Sequence, residues 1–544
     1  MAADGTQTRR VTEPAAARQV VQTPGLGRTR WVAAVRGVLR RHALLVVLLL
    51  AGAAGRLLVL LTFRPALEYL QDSYDYLLNA QHLQPGVVRP LLYPVALRTV
   101  GLVGGLGMVP LAQHLAGLAM AVLLYVALCR AGARPWLAAL GVAPLLLDGY
   151  QLDIEQFVLS ETLFQSLIVV AVACLLWRDR PSGVLAAAAG LALAGAALTR
   201  DLGLVLLAGP VVLLAVRRVG WRPLAAFGAA AVVPLLAYGG WFASVHGSFG
   251  LQRYSGIMFA SRAMTVADCR QVHVPAYERS LCVGLPPARR RSADWYASHP
   301  SSPLRRLRPP AGLTHEAVAA DFARRVITAQ PQAYARVVGG DLAHYLSWTR
   351  STSRGDDPLA HWQFAGHRLP ARWYPLRPPL DPYRDALPPI GGAAPAQSTL
   401  ASYGLHGQRL APQLWKAGQS WLAGYQRVVF TPGPVLAACL ALSVAAGVGR
   451  LPAGLRRLRW DALFLTGSGA GLLLVTSLTA VFQYRYLLPV LVLLPAGGAL
   501  GMELLVRRAQ PARAAAVGKR PSRPAVLPSR WGSAMAERVG QRRG

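Results

Sequence analysis

Charge is scarce in this chain. Of 544 residues only 15% are charged, and Asp and Glu together number 24. A soluble protein of this length needs more charge than that to cover its surface. Lysine is nearly absent: Lys416 and Lys519 are the only two, so arginine carries the formal net charge of +33. Five cysteines are too few for a disulfide-dense secreted scaffold, and a 53% apolar content excludes a disordered or collagenous chain. There is no P-loop, no Rossmann glycine fingerprint, no Gly-x-Ser-x-Gly elbow and no His-Glu-x-x-His zinc helix. Zinc-finger spacing, an RNP-type aromatic strand and a base-reading basic helix are missing too, so nucleic acid is not the expected partner of all this positive charge.

What the chain has is long apolar runs. The first is Ala43 to Phe63. It is too far from the N-terminus, and too poor in small residues at its end, to be a signal peptide. Further runs begin near Met108, Leu137, Val158, Val184, Leu202, Leu224, Pro432, Ala462 and Leu487. Most approach the roughly 20 residues that a bilayer core requires, giving about ten spans, with the Leu137 and Leu202 runs short. Arginines gather in alternate connections: Arg130 and Arg134, Arg178 and Arg180, Arg217 to Arg222, Arg450 to Arg459. By the positive-inside rule these connections and both termini face the cytoplasm.

The reading is an all-α polytopic protein of the plasma membrane, embedded in the lipid bilayer. Residues 1–42 form a disordered cytoplasmic tail. Spans one to seven lie in 43–245, with an outer loop at 64–107. A large extracytoplasmic segment covers 246–430, spans eight to ten lie in 431–508, and 509–544 is a basic cytoplasmic tail. Within the large outer segment, Pro303 to Pro310 and Pro370 to Pro389 read as loop, whereas Thr314 to Trp348 has helical apolar spacing broken at Pro331. Cys269 and Cys282 lie in this oxidising compartment and are expected to pair, two free thiols being the alternative. Closing so short a loop stabilises by roughly 3 kcal/mol. Cys129, Cys174 and Cys439 sit in apolar runs and read as small hydrophobes.

The chemistry-bearing residues lie at the outer ends of spans, where a charge beside lipid is costly and is kept for pairing or catalysis. After the first run come Arg64-Pro65-Ala66-Leu67-Glu68-Tyr69-Leu70-Gln71-Asp72-Ser73-Tyr74-Asp75-Tyr76. Asp72 and Asp75 share a face if this stretch is helical; alternatively Asp72 caps a helix from Ser73 to His82. Arg89-Pro90-Leu91-Leu92-Tyr93-Pro94 follows, with Arg89 able to meet a phosphate. The next outer turn holds Asp148, Asp153, Glu155 and, inside the following run, Glu161. Arg56 interrupts the first span, Thr199-Arg200-Asp201 ends the fifth, and Gln483-Tyr484-Arg485-Tyr486-Leu487-Leu488-Pro489 opens the last. Arginines converging with Asp72 and Glu161 on one side of the membrane form an anion site. His114, inside a span, reads as a satisfied core histidine.

Taken in order, Asp72-Ser73-x-x-Tyr76, Arg89-Pro90-x-x-Tyr93-Pro94, Ser160-Glu161, Thr199-Arg200 and Arg485-Tyr486-x-x-Pro489 resemble the motifs of the GT-C glycosyltransferases. The likeness is to the branch of protein O-mannosyltransferases and lipid-A aminoarabinose transferases, and to uncharacterised actinobacterial members with a Cys pair in the large outer loop. It implies a GT-C-like fold and transfer of a hexose or pentose from a polyprenyl-phosphate-linked donor to an extracytoplasmic acceptor, whether protein, lipid or polysaccharide. It also implies Asp72 as catalytic base, with Asp75 the second acid of the loop. The second-loop acid maps onto Glu161, with Asp153 and Glu155 as alternatives close to an acceptor or metal, beside Tyr93.

Elementary chemistry agrees. A phosphate is already a good leaving group, so the site needs a carboxylate to deprotonate a hydroxyl and a cation to hold the departing charge. Arg485, with Arg200, Arg89, Arg56 and Tyr484, supplies the donor phosphate site, and a divalent cation (Mg or Mn) is the alternative to arginine. The competing functions are a multi-span transporter or lipid flippase and a non-catalytic cell-envelope assembly protein. Against transport, the chain has no internal repeat, and its acids cluster at one side instead of the midplane.

Overall fold

The computed structural model describes residues 26–352, 356–367, 412–449 and 451–517. The outer parts of both expected tails and the Pro370 to Pro389 stretch lie outside the described residues. The described chain is helical, and its one extended pairing is an isolated parallel bridge between Leu67 and Phe157. In chain order the helices are α1 (Leu26–Thr62), α2 (Leu70–His82), α3 (Leu92–Gly101), α4 (Met108–Ala131), α5 (Pro135–Leu147), α6 (Gly149–Ile154), α7 (Glu161–Leu176) and α8 (Gly183–Thr199). A 3₁₀ turn (Asp201–Leu207) leads into α9 (Ala208–Val216) and then α10 (Trp221–His246). The large outer segment holds α11 (Ser255–Met264), α12 (Ala293–Ser298), α13 (His315–Ala329), α14 (Pro331–Tyr345) and α15 (Pro412–Val428). The last three are α16 (Gly433–Gly447), α17 (Arg456–Thr479) and α18 (Val490–Val517), the last preceded by a 3₁₀ turn at Tyr484–Leu487.

Each expected apolar run is helical. Five stretches are long and apolar enough to cross a membrane: Arg40–Thr62, Met108–Ala131, Trp221–His246, Arg456–Thr479 and Tyr484–Ala509. The remaining runs are shorter; α5 has 13 residues and α8 has 17. Short helices suit this bundle because turns such as α6 fold back into it, and α15 meets α16 at a 42° bend. α1 starts at Leu26, so its first turns fall in the stretch read as a disordered tail. Local signals mark the boundaries. Gly132, at a left-handed φ of 108°, ends α4, and Pro135 opens α5. The Ser182 and Thr314 side chains cap α8 and α13, and Pro331 divides α13 from α14 as its position in the sequence requires.

The two ends of the bundle differ in chemistry. At one end the arginine-rich connections meet: Arg217 pairs with the buried Asp461, Arg457 donates to the Leu176 carbonyl, and Arg507 donates to the Gly132 carbonyl. At the other end sit the acidic turn 148–161 and the outer segment. That segment has its own core, in which Ile257, Met264, Leu281, Phe322 and Val326 are buried around α11 and α13. Cys269 and Cys282 are disulfide-bonded there with Cα atoms 5.9 Å apart. Cys129, Cys174 and Cys439 are free and half-buried in the helices.

The acidic turn is pinned by an ion pair inside the bundle. All five guanidinium N–H groups of Arg56 are used: two on Glu155 at 2.8 Å each, and the others on the carbonyls of Gly52, Leu145 and Leu146. His114 Nδ1 meets Glu155 Oε2 at 2.9 Å, and its Nε2 meets Gln156 at 3.0 Å, so this histidine is satisfied. Gly117 lets α4 approach, because a Cβ there would run into Glu155 and Arg56. Backbone bonds then tie the turn to the first outer loop: the Leu67 amide donates to Gln156 O and the Val158 amide to Leu67 O, both at 2.9 Å.

Two outcomes follow from this packing. Arg56→Met leaves Glu155 buried without its guanidinium and should cost roughly 3–5 kcal/mol. Thermal unfolding in detergent would read that as a large drop in midpoint, and an unchanged midpoint would contradict the pairing. Replacing both Cys269 and Cys282 by Ser should weaken the outer core by roughly 2–4 kcal/mol, measured as faster proteolysis within 255–329 with the helical bundle left intact.

Candidate active site

The first outer loop carries its acid on a helix that starts earlier than capping would require. Tyr69 is the N-cap of α2, so Asp72 lies within its first turn and Asp75 follows on the same face. Ser73 fixes this turn: its Oγ accepts the Tyr69 amide at 2.9 Å and donates to the Val158 carbonyl at 3.0 Å. One turn on, Tyr76 OH bonds Ser160 Oγ at 2.8 Å. The loop is thereby held against the start of α7, and Asp72 faces Glu161.

Between them stands Arg485, from the 3₁₀ turn before α18. Its Nη1 is 2.8 Å from Asp72 Oδ2 and 3.6 Å from Glu161 Oε1. Arg89 Nη2 reaches the same Asp72 oxygen at 2.7 Å, and Arg200 Nη1 bonds Glu161 Oε1. The result is a continuous chain, Arg89–Asp72–Arg485–Glu161–Arg200, with one more guanidinium than carboxylate. Asp72 and Arg89 are the open side, with side chains 18% and 20% exposed, whereas Arg485 is 3% exposed. Burial alone would raise the Asp72 pKa, but the Arg89 and Arg485 guanidiniums outweigh it and hold this carboxyl well below the usual range. Both ion pairs fall on Oδ2, and Oδ1 makes no hydrogen bond to the described residues. Arg89 Nε and Glu161 Oε2 are also buried without a partner. A site with an excess cation and orphaned polar atoms is built to take a further charged group.

The outer segment closes over this chain with residues that sequence reasoning had not singled out. The Arg485 guanidinium lies 4.8 Å from the Tyr69 ring, 5.3 Å from Trp362 and 5.2 Å from Tyr486. Asp357 accepts from Tyr69 OH at 2.9 Å, from His361 Nδ1 at 2.9 Å and from the Trp362 indole. Gln483 Oε1 accepts from Arg485 Nε at 2.6 Å, while its Nε2 donates to Asp294 at 3.3 Å. The aromatic neighbours of Arg485 were legible only in Tyr69 and Tyr486, which flank the motifs. Asp294, Asp357 and Trp362 come from a stretch with no periodic pattern.

Several expected site residues lie elsewhere. Arg56 cannot hold a phosphate, because all its donors are spent on Glu155 and three carbonyls, and Glu155 is spent in turn. Tyr484 points away from Arg485, since adjacent residues of a 3₁₀ turn project about 120° apart. Its hydroxyl accepts the Ser351 amide at 3.0 Å and its ring lies 5.1 Å from Arg350. Tyr486 takes the place expected of Tyr484, lying near both Arg485 and Arg200. Asp153 is buried against His367 Nε2 at 2.7 Å, outside the arginine chain. Tyr93 is buried beneath the site, with its OH 3.2 Å from Gln113. Asp75 is half-buried on α2. Among the described residues there is no group of three or more His, Cys, Asp or Glu side chains that could hold a metal ion.

A cavity of about 520 Å³ runs between α5, α16 and α18. Its walls are apolar, including Trp136, Leu140, Val435 and Met502, and its polar end is Asp148. There the Arg350 guanidinium stacks 4.0 Å from the Tyr150 ring, 3.5 Å from Asp148, with Nη1 buried and unpartnered. Tyr484 separates this end from Arg485.

No protein-family profile matches the chain, and no curated protein is similar to it in sequence. Two solved structures are similar to it in fold. One is the S. cerevisiae protein O-mannosyltransferase Pmt1-Pmt2 complex bound to the sugar donor, at 18% identity and a TM-score of 0.32. It covers 41% of this chain and 36% of that one, so the chain spans about a third of that protein's length. The other is ArnT from Cupriavidus metallidurans bound to undecaprenyl phosphate, at 17% identity and a TM-score of 0.31, covering 88% of this chain and 81% of that one.

Proposed function

We propose that this protein is a membrane glycosyltransferase that moves a sugar from a polyprenyl-phosphate-linked donor to an extracytoplasmic acceptor hydroxyl. The observation that carries this reading is Arg485 standing between Asp72 and Glu161, with Arg89 and Arg200 beyond them. The site lies at the outer face of the plasma membrane, with the arginine-rich end and both termini in the cytoplasm. The donor phosphate binds Arg485 and Arg89, entering from the open side of the site at Asp72 and Arg89.

Asp72 acts as the base. While two guanidiniums hold it, its basicity is too low for that task. The arriving phosphate competes for Arg485 and Arg89, and so frees the carboxylate only when donor is present. Asp72 then removes the acceptor proton as the acceptor oxygen bonds the anomeric carbon. The bond from that carbon to the phosphate oxygen breaks, and the guanidiniums hold the departing negative charge. Glu161 keeps Arg485 and Arg200 in place.

Transfer from a panel of undecaprenyl-phosphate-linked hexoses and pentoses to membrane acceptors tests this reading. Asp72→Asn should lower turnover by about 10²–10⁴-fold while donor binding tightens, because the carboxylate that competes for Arg485 and Arg89 has lost its charge. Arg485→Ala should weaken donor binding as well as rate, because its phosphate contact exists in ground and transition states alike. Full activity in Asp72→Asn would remove the base assignment, and undiminished binding in Arg485→Ala would remove the anion site.

A further inference from the structure

The outer segment contributes one acid to this site that the transfer reaction above does not use. Asp294 lies on α12, whose N-terminus is capped by Ser292. Its Oδ2 accepts from Gln483 Nε2 at 3.3 Å, and the same Gln483 accepts from Arg485 Nε at 2.6 Å. No cation among the described residues lies within ion-pair distance of Asp294. The carboxylates of Asp72 and Glu161 are clamped by arginine, and Asp357 is saturated by Tyr69, His361 and Trp362. Asp294 is therefore the acid next to the arginine chain that is held by an amide alone.

The charged groups acting on it come from every side. Asp357 precedes the turn that carries Trp362, Asp72 is on α2, and Arg485 lies beyond Gln483. On α11, packed against α12, Arg262 is already committed to Asp341 and the Ala480 carbonyl. On its own side, Arg291 lies over the Trp295 ring at 5.7 Å and His299 stacks on that ring. Burial first, then the charge of Asp357, push the Asp294 carboxyl up to about 6, with Arg485 and the Gln483 bond opposing.

We propose that Asp294 is the proton-accepting counter-group of the donor site: binding of the anionic phosphate at Arg485 is coupled to proton uptake by Asp294. This rests on the reading of Arg485 as the phosphate site. The reason is charge balance. The arginine chain has one excess positive charge, and Asp294 and Asp357, when both are ionised, reverse it. A docked phosphodiester adds another negative charge and occupies the guanidinium that stabilises the Asp294 carboxylate. Protonating Asp294 restores the balance. The sign is fixed: Asp294 is ionised above about 6 and protonated below it, so donor affinity is highest at low pH and falls as the pH rises through that value.

The test uses the purified full chain and the methyl diester of farnesyl phosphate, a sugarless probe that stays singly charged throughout the range. Affinity is measured from pH 5 to pH 8, with calorimetry in buffers of different ionisation enthalpy to count protons. A rise of one pKa unit at Asp294 on binding corresponds to about tenfold weaker binding at the high end than at the low end. Wild type should show this fall and, for such a shift, take up at most about half a proton, near pH 6.5. Asp294→Asn should bind at pH 8 about as tightly as wild type at pH 5, with neither pH dependence nor proton uptake. Asp294→Ser serves the same purpose if the amide disturbs folding, and the infrared band of a newly protonated carboxyl in wild type needs no variant. A flat wild-type profile, or a variant that keeps the wild-type profile, overturns the proposal. Arg485→Ala separates the two levels: if it binds the probe like wild type, the phosphate-site reading itself fails, whereas loss of binding there with an unaltered Asp294→Asn profile rejects Asp294 alone.

Discussion

A guanidinium buried between two carboxylates organises the outer end of this protein. Arg485 is 413 residues from Asp72 in sequence, and their contact forces the first outer loop, the start of α7 and the start of α18 to meet. Removing one partner of such a buried network leaves an uncompensated charge, which is far costlier than the net worth of the pair. The surrounding structure is accordingly specific. The Leu67 to Phe157 bridge, the Ser73 bonds and the Tyr76 to Ser160 bond each bring α2 onto the turn before α7. A second buried pair, Arg56 with Glu155, fixes that turn from beneath. The two arginines look alike in sequence, each a lone cation inside or at the end of an apolar run. Arg56 has every donor satisfied, whereas the Arg485 chain retains an excess charge and unpartnered atoms at Arg89 and Glu161. That difference separates a structural ion pair from a site.

The same contrast explains how far the site could be read in advance. Asp72, Glu161, Arg200 and Arg485 stand at the outer ends of apolar runs, where a charge needs a reason, and the structure joins them in one chain. The helices were legible for the same cause, since apolar run length and proline positions are local signals; the helical stretch after Thr314 and its break at Pro331 both appear as expected. Legibility failed where the answer depends on direction. Tyr484 and Tyr486 flank Arg485 equally in sequence, yet the 3₁₀ turn sends Tyr484 to Arg350 and leaves Tyr486 beside the two arginines. Asp153 and Glu155 belong to the right turn but are used up by His367 and Arg56. Asp294, Asp357 and Trp362 reach the site by tertiary folding of an irregular outer segment, and no periodicity announces such residues.

The outer segment is more than a connection. Its own core and disulfide hold α11 to α13 as a unit, from which α12 presents Asp294 to the arginine chain through Gln483. Asp357 and Trp362 approach from a later part of the same segment and cover Arg485. The bundle therefore provides the cations and two clamped acids, while the outer segment provides the cover and a further acid, Asp294.

The central claim is that Arg485 and Arg89 exchange Asp72 for a lipid-linked phosphate. An electron cryo-microscopy map of the protein with undecaprenyl phosphate addresses it directly. The account predicts phosphate density in contact with the Arg485 and Arg89 guanidiniums, with the Asp72 carboxylate moved off both. Phosphate density at Arg350 or elsewhere, with the Asp72 to Arg485 pair intact, would contradict it.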